Sequence, residues 1–271
     1  MKRTEVAFIY DFDGTLAHGN IQEYNFIPAL RMSSNEFWDE VKDIRENNNM
    51  ENVLAYMYVM LENAKKRGIS VKKSSFLDYG KNITFFPGVL DWFDRINIYG
   101  KFLGLNIKHY IVSSGIKEMI EGTEIKDKFD RIYACSFLFD KNDVARWPAV
   151  SVNYTNKTQF IYRINKGIYE VYDEHINDKM ESDKKKIPFT NMIYFGDGLT
   201  DVPCMKLVKE NGGTSIAVYE NDDKKQLSEK LLKDERVNYI AKTDYSLNSN
   251  LENYVKVILE KISKENVWIY Y

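Results

Sequence analysis

Two carboxylates two positions apart, Asp11 and Asp13, follow directly on the apolar run 6–10 and precede Gly14-Thr15. On extended backbone, side chains at i and i+2 point to one side, so both acids can face one ligand. Close carboxylates repel, which raises one pKa unless a cation intervenes. A hard divalent ion such as Mg²⁺ relieves that repulsion while keeping one carboxylate ionised. A calcium loop of the EF-hand type does not fit. Thr15, Leu16 and Gln22 stand where that loop needs an acid or amide, a glycine and a glutamate. A solvated turn is the other reading of these residues taken alone.

Three more groups stand at similar places. Ser113-Ser114-Gly115 closes the apolar run 107–112. A hydroxyl followed by exposed backbone N–H groups is a natural phosphate cradle, especially at a helix N-terminus, and the same residues would serve as a plain N-cap. Lys157 lies in 153–158, just before the helix-periodic Phe160, Ile161 and Ile164. A lysine there can offset charge on a phosphoryl group. By residue type alone it is one more surface lysine. Gly196-Asp197-Gly198-Leu199-Thr200-Asp201 follows the apolar run 191–195. Glycines flanking Asp197 suit a tight turn close to an ion or phosphate, and ordinary turn chemistry would use the same residues. Asp201 can then open a helix through Val202, Met205 and Val208.

In this order, FIYDFDGTL, IVSSG, NKTQ and YFGDGLTD resemble the four motifs of the haloacid dehalogenase superfamily. The match extends over most of residues 5–220. Dehalogenases of this fold lack the second Asp, whereas its phosphatases and related phosphoryl-transfer members carry DxDGT. The pattern is most similar to the phosphoserine-phosphatase-like branch, which places a helical cap after the first motif. The resemblance implies that Asp11 is the nucleophile and a Mg²⁺ ligand. Asp13 is then general acid and base, and binds the metal through its backbone carbonyl. Ser113, with Ser114 and Gly115, binds the phosphate. Lys157 neutralises the phosphate and orients Asp11. Asp197 completes the metal ligands, with Asp201 holding metal waters behind it. Thr200 departs from the pattern, since many relatives have Asn there; a hydroxyl still donates and accepts, but the fine geometry around the metal differs. The implied activity is a Mg²⁺-dependent phosphomonoester hydrolase acting on a small phosphorylated metabolite through an aspartyl-phosphate. The alternatives are a phosphoryl transferase or mutase, or a non-catalytic binding descendant.

These groups need a sheet to hold them. The runs at 6–10, 107–112, 131–134, 191–195 and 215–219 are unalternating and rich in Val, Ile, Phe and Tyr, as strands buried on both faces are. Between them lie amphipathic stretches. One has Val89, Leu90, Trp92, Phe93 and Ile96, with Gly100 as its stop. Another has Leu251, Val255, Ile258, Leu259 and Ile262. Alternation of this kind predicts an α/β, Rossmann-like doubly wound parallel sheet. Trp147-Pro148 and the alternation around it suggest a hairpin within 138–155, and the charged stretch 173–190 reads as a solvated loop.

Residues 17–84 break the rhythm. Ser33 and Glu36 form a capping box before Phe37, Val41 and Ile44. After the polar run 46–50, a second helix through Val53, Met57, Met60, Leu61 and Ala64 ends in Lys65-Lys66-Arg67 and Gly68. The expected organisation is a catalytic core of residues 1–16 and 85–271 with a small helical cap at 17–84; simple sheet-covering crossovers are the other reading. Glu23, Tyr24 and Arg31 are candidates for selecting the substrate. The surplus apolar residues Phe37, Trp38, Leu54, Tyr56, Met57, Tyr58 and Met60 are candidates for packing within the cap or lining its pocket.

Composition narrows the class. The 271 residues carry 38 Lys+Arg against 40 Asp+Glu, a net charge of −2, which gives no electrostatic case for a nucleic-acid or anionic-membrane partner. No apolar run reaches the ~20 residues a bilayer span requires. Cys135 and Cys204 have no metal-like spacing and form no disulfide scaffold. The expectation is a cytoplasmic enzyme, with its oligomeric state open.

Overall fold

The computed structural model describes residues 3–267. Its seven strands are β1 (Thr4–Tyr10), β2 (Leu105–Ile116), β3 (Arg131–Phe139), β4 (Ala145–Val150), β5 (Met192–Gly196), β6 (Thr214–Tyr219) and β7 (Tyr239–Lys242). They form one sheet in the order β4-β3-β2-β1-β5-β6-β7. Every pairing is parallel except β3 with β4. The order grows outward from β1 in both directions, so the sheet is doubly wound. The crevice beyond the carboxyl end of β1 is therefore its natural ligand site. All five expected strands are present, and the expected hairpin is β3–β4, turned by Asp140, whose carboxylate accepts from the N–H groups of Asn142 and Val144.

Eleven helices accompany the sheet among the described residues. Five lie between β1 and β2's covering helix: α1 (Ile21–Tyr24), α2 (Phe26–Ala29), α3 (Ser34–Asn48), α4 (Asn52–Arg67) and α5 (Lys73–Tyr79). The others are α6 (Val89–Phe102), α7 (Lys117–Glu121), α8 (Lys157–Lys166), α9 (Val202–Glu210), α10 (Asp222–Lys233) and α11 (Asn250–Val267). The α6 helix runs past Gly100, contrary to the expected stop, and the side chain of Ile107 packs directly onto that glycine. Residues 173–190 hold only short 3-10 turns.

Val6–Tyr10 are fully buried, as their unalternating composition demands. Tyr10 stacks on Phe195 of β5 at 4.7 Å between ring centroids, and its hydroxyl takes the Trp92 indole N–H at 2.9 Å. His109 lies against the same hydroxyl, and burial pushes its pKa down to about 3, so it is a neutral core histidine. This packed aromatic layer fixes the height at which β1 and β5 end.

Residues 17–84 contribute no strand to the sheet. The chain leaves and re-enters through adjacent extended stretches: His18 N–H donates to Thr84 O at 3.1 Å, and Phe86 N–H to Leu16 O at 3.0 Å. The Ser33–Glu36 capping box is formed, and α4 ends at Gly68 in the left-handed region. The α5 helix docks on α7 through two glycines. A Cβ on Gly80 would lie 1.8 Å from Met119 O, and one on Gly122 would lie 1.9 Å from Leu77 O. No larger residue permits that approach.

Candidate active site

Strand register assembles the site. Tyr10 is level with Ile111 on β2 and with Phe195 on β5. Two residues further along each strand come Phe12, Ser113 and Asp197, so the first, second and fourth motifs emerge side by side. Asp11 N–H still pairs with Phe195 O at 2.9 Å, which holds the Asp11 backbone rigidly at the rim.

Lys157 is the first residue of α8 and fully buried. A cation at a helix N-terminus opposes the helix dipole, so it needs compensation. It gets it from two carboxylates, Asp11 Oδ1 at 3.2 Å and Asp201 Oδ1 at 2.7 Å. Burial alone would lower the lysine pKa; Asp11 and Asp201 outweigh that and raise it, so Lys157 stays charged. The same Asp201 oxygen accepts the Tyr194 hydroxyl at 2.7 Å, and Oδ2 accepts Gly198 N–H at 3.2 Å. Asp201 is thus a satisfied anchor for Lys157.

Asp11, Asp197 and Asp201 each bring a carboxylate oxygen within 4.8 Å of the others. Burial pushes the Asp11 carboxyl up to about 7; the Asp201 charge adds to this, and Lys157 draws it back. Asp197 is raised by burial and by Asp201, against the pull of Lys224, whose ammonium lies 3.0 Å away. The raised values of Asp11 and Asp197 reflect burial first and then neighbouring negative charge that the two lysines only partly offset. An all-oxygen donor set with surplus negative charge fits a hard divalent cation such as Mg²⁺. Gly14, in the left-handed region at φ +71, makes room for this convergence, because a Cβ there would meet Asp197 Oδ2 at 2.4 Å.

The Asp13 side chain does not join that cluster. Its Oδ1 accepts Ile21 N–H at 2.9 Å, aiming the carboxyl toward the helical segment. Burial and then the neighbouring Asp11 charge push it well above the ordinary carboxylate range, which favours the protonated form.

The phosphate cradle expected at a helix N-terminus takes another form. The β2 strand runs through Ser113-Ser114-Gly115 to Ile116, and α7 begins only at Lys117. Gly115 N–H is spent on Ser113 Oγ at 3.0 Å, and Ser114 O accepts the Tyr56 hydroxyl at 2.5 Å. Ser113 and Ser114 line the cavity from extended backbone. Neither the helix-opening cradle nor the plain N-cap describes them. Lys157 does not line it; it reaches the site through Asp11. Thr200 is exposed at the rim.

A cavity of about 420 Å³ lies over these groups. Its floor includes Asp11, Asp13, Ser113, Asp197 and Lys224, and one wall comes from the helical segment through Gln22, Trp38, Glu51 and Tyr56. Of the expected selectors, none is on that wall. Glu23 is held by Asn20 and the Trp38 indole, Tyr24 donates to His18 O, and Arg31 is exposed at φ 55. Of the surplus apolar residues, Trp38 and Tyr56 line the cavity, while Phe37, Met57 and Met60 are core; Leu54 and Tyr58 face a separate apolar depression with Trp147. Gln22 and Glu51 escaped the sequence reading. The first sits in a four-residue helix too short for periodicity, and the second is the N-cap of α4, signalled only by its place between a polar run and an apolar one.

No family model matches the chain. A protein of Borreliella burgdorferi, itself uncharacterized, is 32% identical over 284 residues, covering 95% of this chain and 96% of that protein. The chain belongs to the same family. Among solved structures it is similar to a HAD-family hydrolase of Salmonella enterica serovar Typhi, with TM-score 0.56 and 17% identity, over 83% of this chain and 66% of that longer one. It is also similar to a phosphoserine phosphatase bearing a phospho-aspartyl intermediate analogue, with TM-score 0.56 and 16% identity, over 94% and 99% of the two chains. The chain shares the fold of these solved structures. No helix of the described residues is long and apolar enough to cross a membrane.

Proposed function

We propose that this protein is a Mg²⁺-dependent phosphomonoesterase of small metabolites that works through an aspartyl-phosphate on Asp11. The observation that carries the reading is the pairing of Asp11 with buried Lys157, at 3.2 Å, beside Asp13 on the same strand end, whose carboxyl accepts Ile21 N–H. The core is taken as residues 1–16 and 85–271, whose ends at 1–2 and 268–271 lie outside the described residues, with 17–84 as its cap. A cytoplasmic location accords with the net charge of −2 and with the absence of a membrane-length helix among the described residues.

A phosphomonoester is dianionic, and a carboxylate nucleophile meets it only where charge is neutralised. Asp11 and Asp197, with the Asp13 carbonyl that the resemblance implies, would hold Mg²⁺, with Asp201 behind them; the ion would supply that neutralisation. Asp11 Oδ bonds to phosphorus as the ester P–O bond breaks, and Lys157 keeps the carboxylate ionised and oriented. Asp13 delivers its proton to the leaving alkoxide. It then takes a proton from the water that attacks phosphorus, which returns Asp11 and releases phosphate. Ser113 and Ser114 flank the phosphoryl position on extended backbone.

The test is phosphate release across a panel of phosphorylated metabolites, with Mg²⁺ and after exhaustive chelation. Activity should be lost on chelation and restored by Mg²⁺. Full activity in chelator would contradict the reading, and a new phosphoester in place of free phosphate would make the protein a transferase or mutase.

A further inference from the structure

The wall of the cavity opposite the strand ends has its own electrostatic character. Lys224 is the single lysine among the lining residues, no arginine joins it, and it is taken by Asp197. Glu220, at the rim, is paired with His18 at 2.7 Å. Glu51, which lines the same cavity, has no ion-pair partner among the described residues. It caps α4, accepting Val53 N–H at 2.9 Å and Leu54 N–H at 3.0 Å. The positive end of α4 is therefore already matched and is not free to hold an anion. An ionised carboxylate has about four acceptor sites, so two bonds leave Glu51 with capacity for a donor.

Two aromatic rings stand beside it. Trp38 and Tyr56 meet edge to face, 6.1 Å between centroids and 73° between planes. Their polar atoms are engaged elsewhere, Trp38 Nε1 on Glu23 Oε1 at 2.6 Å and the Tyr56 hydroxyl on Ser114 O. Both rings line the cavity, Trp38 partly exposed and Tyr56 buried. Gln22 adds the unfinished element. It is 2% exposed, lines the cavity, and its Oε1 has no hydrogen-bond partner. A buried amide oxygen left unpaired is costly, and a ligand donating to it as the side chain turns toward the cavity would recover that cost.

Aromatic faces, a carboxylate without a counter-ion and an unpaired buried acceptor together describe a seat for an organic cation that donates hydrogen bonds. Building on the phosphatase reading, we propose that this wall selects phosphomonoesters whose alcohol carries an ammonium group and no carboxylate. A carboxylate on the alcohol would face Glu51 with no cation to receive it. The phosphate would meanwhile sit at the strand ends, so one small molecule spans both halves of the cavity.

The experiment compares kcat/KM for phosphoethanolamine, choline phosphate, uncharged ethyl phosphate, phosphoserine and phosphoglycolate, all with Mg²⁺. The ammonium esters should exceed ethyl phosphate by about tenfold, and phosphoglycolate should be the poorest. Glu51→Gln keeps an acceptor oxygen for the α4 cap but removes the charge. It should bring the ratio of ammonium to neutral ester close to one, mainly through KM. Trp38→Leu gives a second arm, with a larger loss on choline phosphate than on ethyl phosphate. Equal turnover of all esters by the wild-type protein, or preference for the carboxylate-bearing ones, overturns the inference and leaves the phosphatase reading standing. Hydrolysis of none of them while other phosphomonoesters are turned over overturns this inference alone, and phosphate release from no ester at all overturns the phosphatase reading with it.

Discussion

The strand ends and the helical wall that face each other across the cavity are held in opposite ways. At the strand ends the buried charges have several partners each: Asp201 takes Lys157, Tyr194 and Gly198, and Asp11 takes Lys157 and Phe12 N–H. The wall is sparse: among the described residues Glu51 has no ion-pair partner and Gln22 Oε1 has no hydrogen-bond partner. Chemistry that handles a dianion needs fixed charges, whereas selecting an alcohol needs only shape and a little unspent hydrogen-bonding capacity. Rigidity is concentrated where charge develops.

Breaking the tied side should have the largest effect. Asp11→Asn preserves size but cannot attack phosphorus, and turnover of a chromogenic phosphate ester should fall about 10⁴-fold or more, with the circular dichroism spectrum unchanged. Wild-type-like rates would remove Asp11 as nucleophile. Lys157→Met is next. It removes a fully buried cation from between Asp11 and Asp201, so kcat should drop by about 10²–10⁴. Thermal stability should fall with it, because two buried carboxylates lose their partner. Unchanged stability would mean that the pair is not formed in solution.

Glu118 sharpens the comparison, being a second buried acid raised to about 7 but without a lysine anchor or a cavity. Burial is the main cause, and its Oε2 has no hydrogen-bond partner. The folded protein holds this proton more tightly than the unfolded chain, whose value is 4.5. Its contribution to stability is therefore full below about pH 4.5 and lost as pH rises through about 7. Glu118→Gln has no proton to lose. Its melting temperature should match wild type at pH 4 and exceed it by about 2–4 °C at pH 8. Activity should be retained at both, and no gain at pH 8 would contradict the burial argument.

The two sides also differ in how far the sequence reveals them. Asp11, Asp13, Asp197 and the five strands behind them were legible because a doubly buried strand must be an unbroken apolar run, and a polar residue ending it must have a reason. Lys157 was legible only through its order among the other motifs. Ser113-Ser114-Gly115 reads in the sequence as the end of a strand rather than as part of it. The β2 strand continues through it to Ile116, although its pairing with β3 shifts register between Val112 and Ile116. The edge strand β7 was missed because four residues, Tyr239–Lys242, are too few to show a period. On the wall, Arg31 and Glu23 drew notice for their charge, yet the cavity is lined by Gln22 and Glu51. Which polar residue of a short helix or a cap faces inward depends on how α1, α3 and α4 pack, and no local pattern encodes that.

Borohydride quenching of the enzyme during turnover, followed by peptide mass spectrometry, tests the central claim most directly. An acyl phosphate on Asp11 is reduced to homoserine at position 11, and the account predicts that modification only when substrate and Mg²⁺ are both present. Turnover that leaves Asp11 unmodified while another carboxylate is reduced, or none is, would contradict it.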